Sequence, residues 1–76
     1  MLQEMRKKRG LSQSELAAAS GVKFRTLQAY EGGINDINKA SLATLCNLAI
    51  ALNCKITDIL TDKELIAKYK LANKIK

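Results

Sequence analysis

Glycine punctuates the first half of this chain at positions 10, 21, 32 and 33, and proline is absent throughout. Between the first two of these stops the sequence runs Leu11-Ser12-Gln13-Ser14-Glu15-Leu16-Ala17-Ala18-Ala19-Ser20. Ser12 and Glu15 have the spacing of a capping box, in which the hydroxyl and the carboxylate each take up a backbone N–H at a helix start. Glycine just past the last helical residue ends a helix, because it adopts the left-handed conformation without a steric penalty. The spacing therefore predicts a short helix over Gln13–Ser20, stopped by Gly21. A second helix follows almost at once, from Lys23 or Phe24 to Glu31. Two helices joined so tightly must cross at close range. Ala17 suits the crossing point, Gly21 the turn, and Leu16, Val22, Leu27 and Tyr30 the faces buried between them.

The remainder also reads as helical, and nothing alternates with a strand period over a useful length. A first helix over residues 2–9 has only Leu2 and Met5 on its apolar side and ends at Gly10. Its basic run of Arg6, Lys7, Lys8 and Arg9 complements the helix dipole, and as a default it is a solvated helix end. Leu42, Leu45, Leu48, Ala49 and Leu52 form the clearest helical stripe, with Cys46 beside it, and the leucines are expected in the core. Asn38 is the expected N-cap of that helix and Asn53 its left-handed C-cap. Thr57 is positioned to cap a short fifth helix containing Asp58, Ile59 and Leu60. Thr61 and Glu64 offer a second capping box, leading into Leu65, Ile66 and Tyr69. The expectation is one unit over residues 1–61 and a basic amphipathic extension over residues 62–76.

Size and charge narrow the function. A chain of 76 residues has room for one modest core and needs regular helix packing, a cross-link or a partner to be comfortably stable. The net charge of +6 favours an anionic partner. Residues 1–31 carry +3, residues 32–62 carry −1 and residues 63–76 carry +4, so the basic character sits at the two ends. No apolar run approaches the roughly 20 residues that span a bilayer, and charges fall where a secretion signal would be apolar. No membrane association is expected, and the cytoplasm is the default compartment.

Catalysis finds little support in the residue types. Histidine is absent, so the usual general base and the usual partner of a Ser or Cys nucleophile are missing. The two cysteines, Cys46 and Cys54, lack an acidic cluster that would complete a zinc site, and read as small buried hydrophobes. A cytoplasmic setting argues against a Cys46–Cys54 disulfide, which spacing alone does not exclude. No enzyme activity, metal or cofactor is expected.

Leu11-Ser12-Gln13-Ser14-Glu15-Leu16-Ala17, followed by Ser20-Gly21-Val22, Thr26-Leu27, Tyr30-Glu31 and Gly33, resembles the lambda/434 repressor and Cro (XRE-like) family. Ala40-Ser41-Leu42, Thr44-Leu45, Leu48-Ala49 and Ala51-Leu52 resemble that fold's fourth helix. Ile56 with Asp58-Ile59-Leu60 resembles its closing one. The resemblance covers roughly residues 2–61 and implies a compact five-helix, all-α, lambda-repressor-like domain, with an added C-terminal helical segment possible here. Helices two and three would form the helix-turn-helix, helix three entering the major groove of double-stranded DNA.

By position, the resemblance implies DNA contacts from Gln13, Lys23, Phe24, Arg25, Thr26, Gln28 and Ala29. Arg25 suits guanine O6 and N7, Gln28 suits adenine, and Ala29 or Phe24 suits a thymine methyl. Gln13 suits the DNA backbone and the support of base readout, and Thr26 and the loop at residues 33–35 suit phosphate. Arg6 and Glu31 match a pair that ties helix one to the end of helix three. Lys23 departs from the small hydroxyl residue that often caps helix three, and Phe24 departs from a usually polar reader. Packing of Phe24 on a neighbour is an equal expectation. Tyr30 is expected as a core residue with an exposed hydroxyl.

The leading expectation is a sequence-specific transcriptional regulator, of the repressor kind, acting as a homodimer in a prokaryotic or phage setting. The alternative is an antitoxin or other interaction module with a small protein partner such as a toxin. The C-terminal Leu65–Tyr69 strip motivates that alternative, while Leu65, Ile66, Tyr69 and Ile75 together read as a dimerisation strip, with a partly frayed tail as an equal counter-reading.

Overall fold

The computed structural model describes residues 2–75. Met1 and Lys76, the outer limits of the two expected units, lie outside the described residues. In chain order the helices are α1 (Leu2–Lys8), α2 (Gln13–Ser20), α3 (Phe24–Glu31), a 3-10 turn (Ile37–Lys39), α4 (Leu42–Leu52), α5 (Ile56–Ile59) and α6 (Lys63–Asn73). Among the described residues there is no strand. The five expected helices are present in order, and the added C-terminal segment is helical as α6.

Leu16, Leu27, Leu48, Leu52 and Ile59 are fully buried, one or two from each of α2, α3, α4 and α5. Leu2, Ile37, Leu45, Ala49 and Leu60 complete the core. α2 lies between α3 and α4, while α1 reaches both α3 and α5. At about 2–5 kcal/mol per buried leucine truncated to alanine, these few side chains dominate the stability of so small a domain.

Leu42 departs from the expected leucine core and is 64% exposed. At 100° per residue it lies roughly 70° off the centre of the buried stripe, in the first turn of α4. Cys46 and Ile50 continue the same row, Ile50 being 77% exposed and Cys46 half-buried. Both cysteines are half-buried free thiols rather than fully buried hydrophobes.

Three caps differ from expectation. Ser41, not Asn38, caps α4, its hydroxyl accepting the Thr44 N–H at 3.1 Å. Asn38 sits in the 3-10 turn and reaches across to the start of α6. Its Oδ1 accepts the N–H groups of Thr61 and Asp62, both at 2.9 Å, and its Nδ2 donates to Thr61 Oγ1 at 2.8 Å. Thr61 is thereby occupied, and Asp62 caps α6 by accepting from the N–H groups of Glu64 and Leu65. Thr57 lies inside α5, which follows Lys55, and the Asp58 carboxylate accepts the Lys55 N–H at 3.0 Å. Asn53 does end α4 in the left-handed region, with φ 49°.

The basic run of α1 is not a solvated end throughout. Arg6 is buried, and Arg9 closes the C-terminus of α4, its Nε donating to Leu52 O at 2.7 Å and Nη2 to Asn53 O at 3.1 Å. These are the carbonyls a helix end leaves unpaired, and a cation there also suits the dipole. In α6, Leu65 and Ile66 pack on the core, so half of the expected association strip is spent inside the domain. Leu71 and Ile75 remain exposed.

Candidate nucleic-acid interface

The α2–α3 turn is built by short-range hydrogen bonds. Ser12 and Glu15 form the expected capping box, with Ser12 N donating to Glu15 Oε1 at 2.9 Å and Glu15 N to Ser12 Oγ at 3.0 Å. Hydrogen bonding by the Ser12 N–H, and then by the Ser12 side chain, holds the Glu15 carboxyl below its usual range. Gly21 takes φ 73° and donates its N–H to Ala17 O at 2.9 Å. The buried Ser20 hydroxyl then accepts the Val22 N–H at 3.2 Å, bringing the chain directly into α3. At the far end, the Ala29 carbonyl accepts from Ile34 and Asn35, which folds the following loop back under α3.

Arg6 and Glu31 meet as expected. Arg6 Nε donates to Glu31 Oε2 at 2.8 Å, Nη2 to Glu31 Oε1 at 2.9 Å, and Nη1 to Leu11 O at 2.8 Å. The side chains are 10% and 2% exposed, so this is a bidentate pair withdrawn from water. Hydrogen bonding to Glu31 raises the Arg6 pKa above its ordinary value, against the opposing effect of burial. The only acidic side chain of α3 is thus neutralised beneath the helix instead of facing an incoming phosphate.

Of the expected contact residues, Lys23, Phe24, Arg25 and Gln28 are exposed, and Gln13, Thr26 and Ala29 are half-buried. Lys23 stands at the N-cap of α3 and makes no side-chain cap, leaving the first-turn N–H groups without one. Phe24 is 41% exposed and is not among the side chains packed on the core. Leu27 faces inward and is fully buried, and Tyr30 is half-buried against the core. Gln13 and Gln28, from different helices, come together: Gln28 Nε2 lies 3.5 Å from Gln13 Oε1, and Gln13 Nε2 lies 3.3 Å from Glu31 Oε1. Spacing gives no sign of this chain of contacts, because it depends on the crossing of α2 over α3.

A helix-turn-helix family model matches residues 2–59. The chain belongs to that family. It is a helix-turn-helix protein of the XRE/Cro/C1 type, a family of DNA-binding transcription regulators. Comparison with curated proteins and with solved structures returns no match. The matched region of this helix-turn-helix chain takes in α1 to α5 and stops short of α6. Among the described residues no helix is long and apolar enough to cross a membrane.

Proposed function

We propose that this chain is a sequence-specific transcriptional repressor that inserts α3 into the major groove of double-stranded DNA. The observation that carries this reading is the outward side of α2 and α3. Lys23 and Arg25 are exposed there while Glu31, the one acid of α3, is held underneath by Arg6. Such a surface attracts the phosphate backbone and offers a guanidinium and an amide to base edges. Arg25 and Gln28 are the base readers. Phe24 and Ala29 lie against thymine methyls, and Gln13, Lys23 and Thr26 sit at the backbone. Residues 1–61 form the DNA-binding unit and residues 62–76 an appended basic segment. The protein acts in the cytoplasm as a homodimer on two half-sites about one helical turn, roughly 34–36 Å, apart.

Selection of bound sequences from a random DNA pool, with wild type and Arg25→Ala, tests this. The expected result is a two-fold-symmetric motif whose preference is lost at one base pair of each half-site in the variant. An unaltered motif would mean that α3 is not the reading helix. The alternative, an interaction module with a small protein partner, draws support from Leu71 and Ile75, exposed beyond the family match. A second small protein co-purifying in fixed ratio, together with no DNA binding at low salt, would favour it.

A further inference from the structure

We infer that the outward row of α4, Leu42, Cys46 and Ile50, is the surface on which a second copy of this chain docks, the two α4 helices lying antiparallel about a two-fold axis at Cys46. This rests on the homodimer reading above and says which face carries it.

Among the described residues α4 is the one helix without a charged side chain, and Thr44 and Asn47 are its only polar ones. Its inner side, Leu45, Leu48, Ala49 and Leu52, is spent on the core. The outer side is apolar as well, with Leu42 64% and Ile50 77% exposed and the half-buried Cys46 between them. A helix this apolar around its circumference belongs inside a larger structure. At 1.5 Å per residue the outward row is roughly 12 Å long.

Charge selects the occupant. The chain carries +6, so two copies repel wherever their basic ends approach. Residues 37–57 contain no acid, and their two cations, Lys39 and Lys55, lie outside α4. An uncharged row gives a charged partner nothing to recognise, and it is where two copies meet with least repulsion.

Shape agrees. A two-fold contact requires one surface to carry both halves of the fit. Leu42 projects at one end of the row. At the other end, beside Ile50, a cleft between α1, α4 and α5 is floored by Met5, Ala49 and Cys54. In the antiparallel pair, Leu42 of each copy enters the cleft of the other and the two Cys46 side chains face each other. Arg9 at this cleft is turned to the carbonyls ending α4, and the Asp58 carboxylate accepts the Lys55 N–H. Lys8 and Lys55 keep their charges in water along flexible stems. Opposed helix directions also set dipole ends of opposite sign side by side.

The row falls short of the roughly 20–30 residues a side of a standard interface, so the dimer is weak in free solution. Two half-sites on one DNA molecule offset this by raising the effective concentration of each copy for the other.

The test is sedimentation of the full chain up to about 500 µM, with wild type, Leu42→Lys, Ile50→Glu and the double variant. Each is first checked for its unfolding midpoint. Wild type is expected to dimerise with a Kd of about 10–100 µM, and each single substitution to weaken this at least roughly tenfold. The double variant sets opposite charges against each other across the axis and returns the association to near the wild-type value. Parallel or displaced packing does not give that rescue. With Cys54→Ser, diamide takes up the two electrons and two protons of two Cys46 thiols and leaves a disulfide-linked dimer, which Cys46→Ser does not form. Failure of the rescue or of the cross-link overturns the antiparallel contact at Cys46. A dimer that the variants leave unchanged puts the homodimer contact on another face and overturns this inference alone. A wild type monomeric throughout overturns it too, and one that also binds two half-sites without cooperation removes the homodimer reading beneath it.

Discussion

Arg6 and Glu31, 25 positions apart in the chain, form one bidentate ion pair with side chains 10% and 2% exposed, joining α1 to the last turn of α3. The guanidinium also holds the Leu11 carbonyl, so the pair links three segments around the start of α2. Removing one partner strands the other charge away from water. Glu31→Ala is expected to lower the unfolding free energy by about 3–5 kcal/mol, read from urea denaturation. Arg6→Met combined with Glu31→Leu should recover most of that loss, since the burial cost of both charges disappears together. A loss under 1 kcal/mol in Glu31→Ala would show that the pair is solvated in solution.

The Asn38 side chain ties the 3-10 turn to the start of α6 through both of its amide atoms. Asn38→Ala removes these bonds and leaves the Thr61 and Asp62 N–H groups to water. The expected cost is about 1–3 kcal/mol. Amide exchange should quicken first at Leu65 and Ile66, which pack on the core only if α6 starts in register. Exchange in α6 as slow as in wild type would contradict this.

Gly21 has open space where a Cβ would stand, so its requirement is conformational and not steric crowding by neighbours. With φ 73° it lies in the left-handed region. Gly21→Ala is expected to destabilise by about 1–2 kcal/mol, and Gly21→Asn by less, because asparagine tolerates that region better. Equal midpoints for the two variants would refute the argument.

Within the proposed interface, Arg25 and Lys23 should separate by kind of contact. Arg25→Ala is expected to cost about 1–3 kcal/mol and to relax discrimination at one base pair. Lys23→Ala should weaken binding evenly across sequences and reduce the slope of log K against log salt by about one. Titrations at several salt concentrations, on the selected site and on scrambled DNA, distinguish the two.

The Glu15 and Asp36 carboxyls are both held below their ordinary range, Glu15 by the Ser12 N–H and hydroxyl, Asp36 by the backbone and side chain of Asn38. A carboxyl with a lowered folded-state pKa stabilises fully above its unfolded value and loses that stabilisation as pH falls through the folded one. The unfolding midpoint should therefore drop on acidification below the usual carboxylate range, and remain flat on that account near neutrality. Glu15→Gln should show a shallower acid drop than wild type. A parallel pH curve for the variant would remove Glu15 from the explanation.

Local chemistry made much of this molecule legible in the residue order. The capping box at Ser12 and Glu15, the left-handed stops at Gly10, Gly21 and Asn53, and the inward set Leu16, Leu27, Leu48 and Leu52 stand where spacing places them. Each of these depends on residues within a turn or two, or on a helical period that holds whatever the helix packs against. Family membership is likewise carried by those spacings, together with the match over residues 2–59.

What tertiary structure alone decided is which of several competent groups is used, and by whom. Asn38, Ser41, Thr57, Thr61 and Asp62 all have capping side chains, and spacing does not say that Asn38 is drawn 23 residues away to Thr61. Leu42 belongs to the leucine repeat but looks outward, because the buried stripe is set by where α2 lies against α4. Arg9 reaches the end of α4, and Gln13 meets Gln28, only because helices distant in sequence cross at particular angles. Helix period and caps are properties of a few neighbouring residues and are written in their order. Contacts between helices depend on the packing of the whole core, which no local pattern specifies.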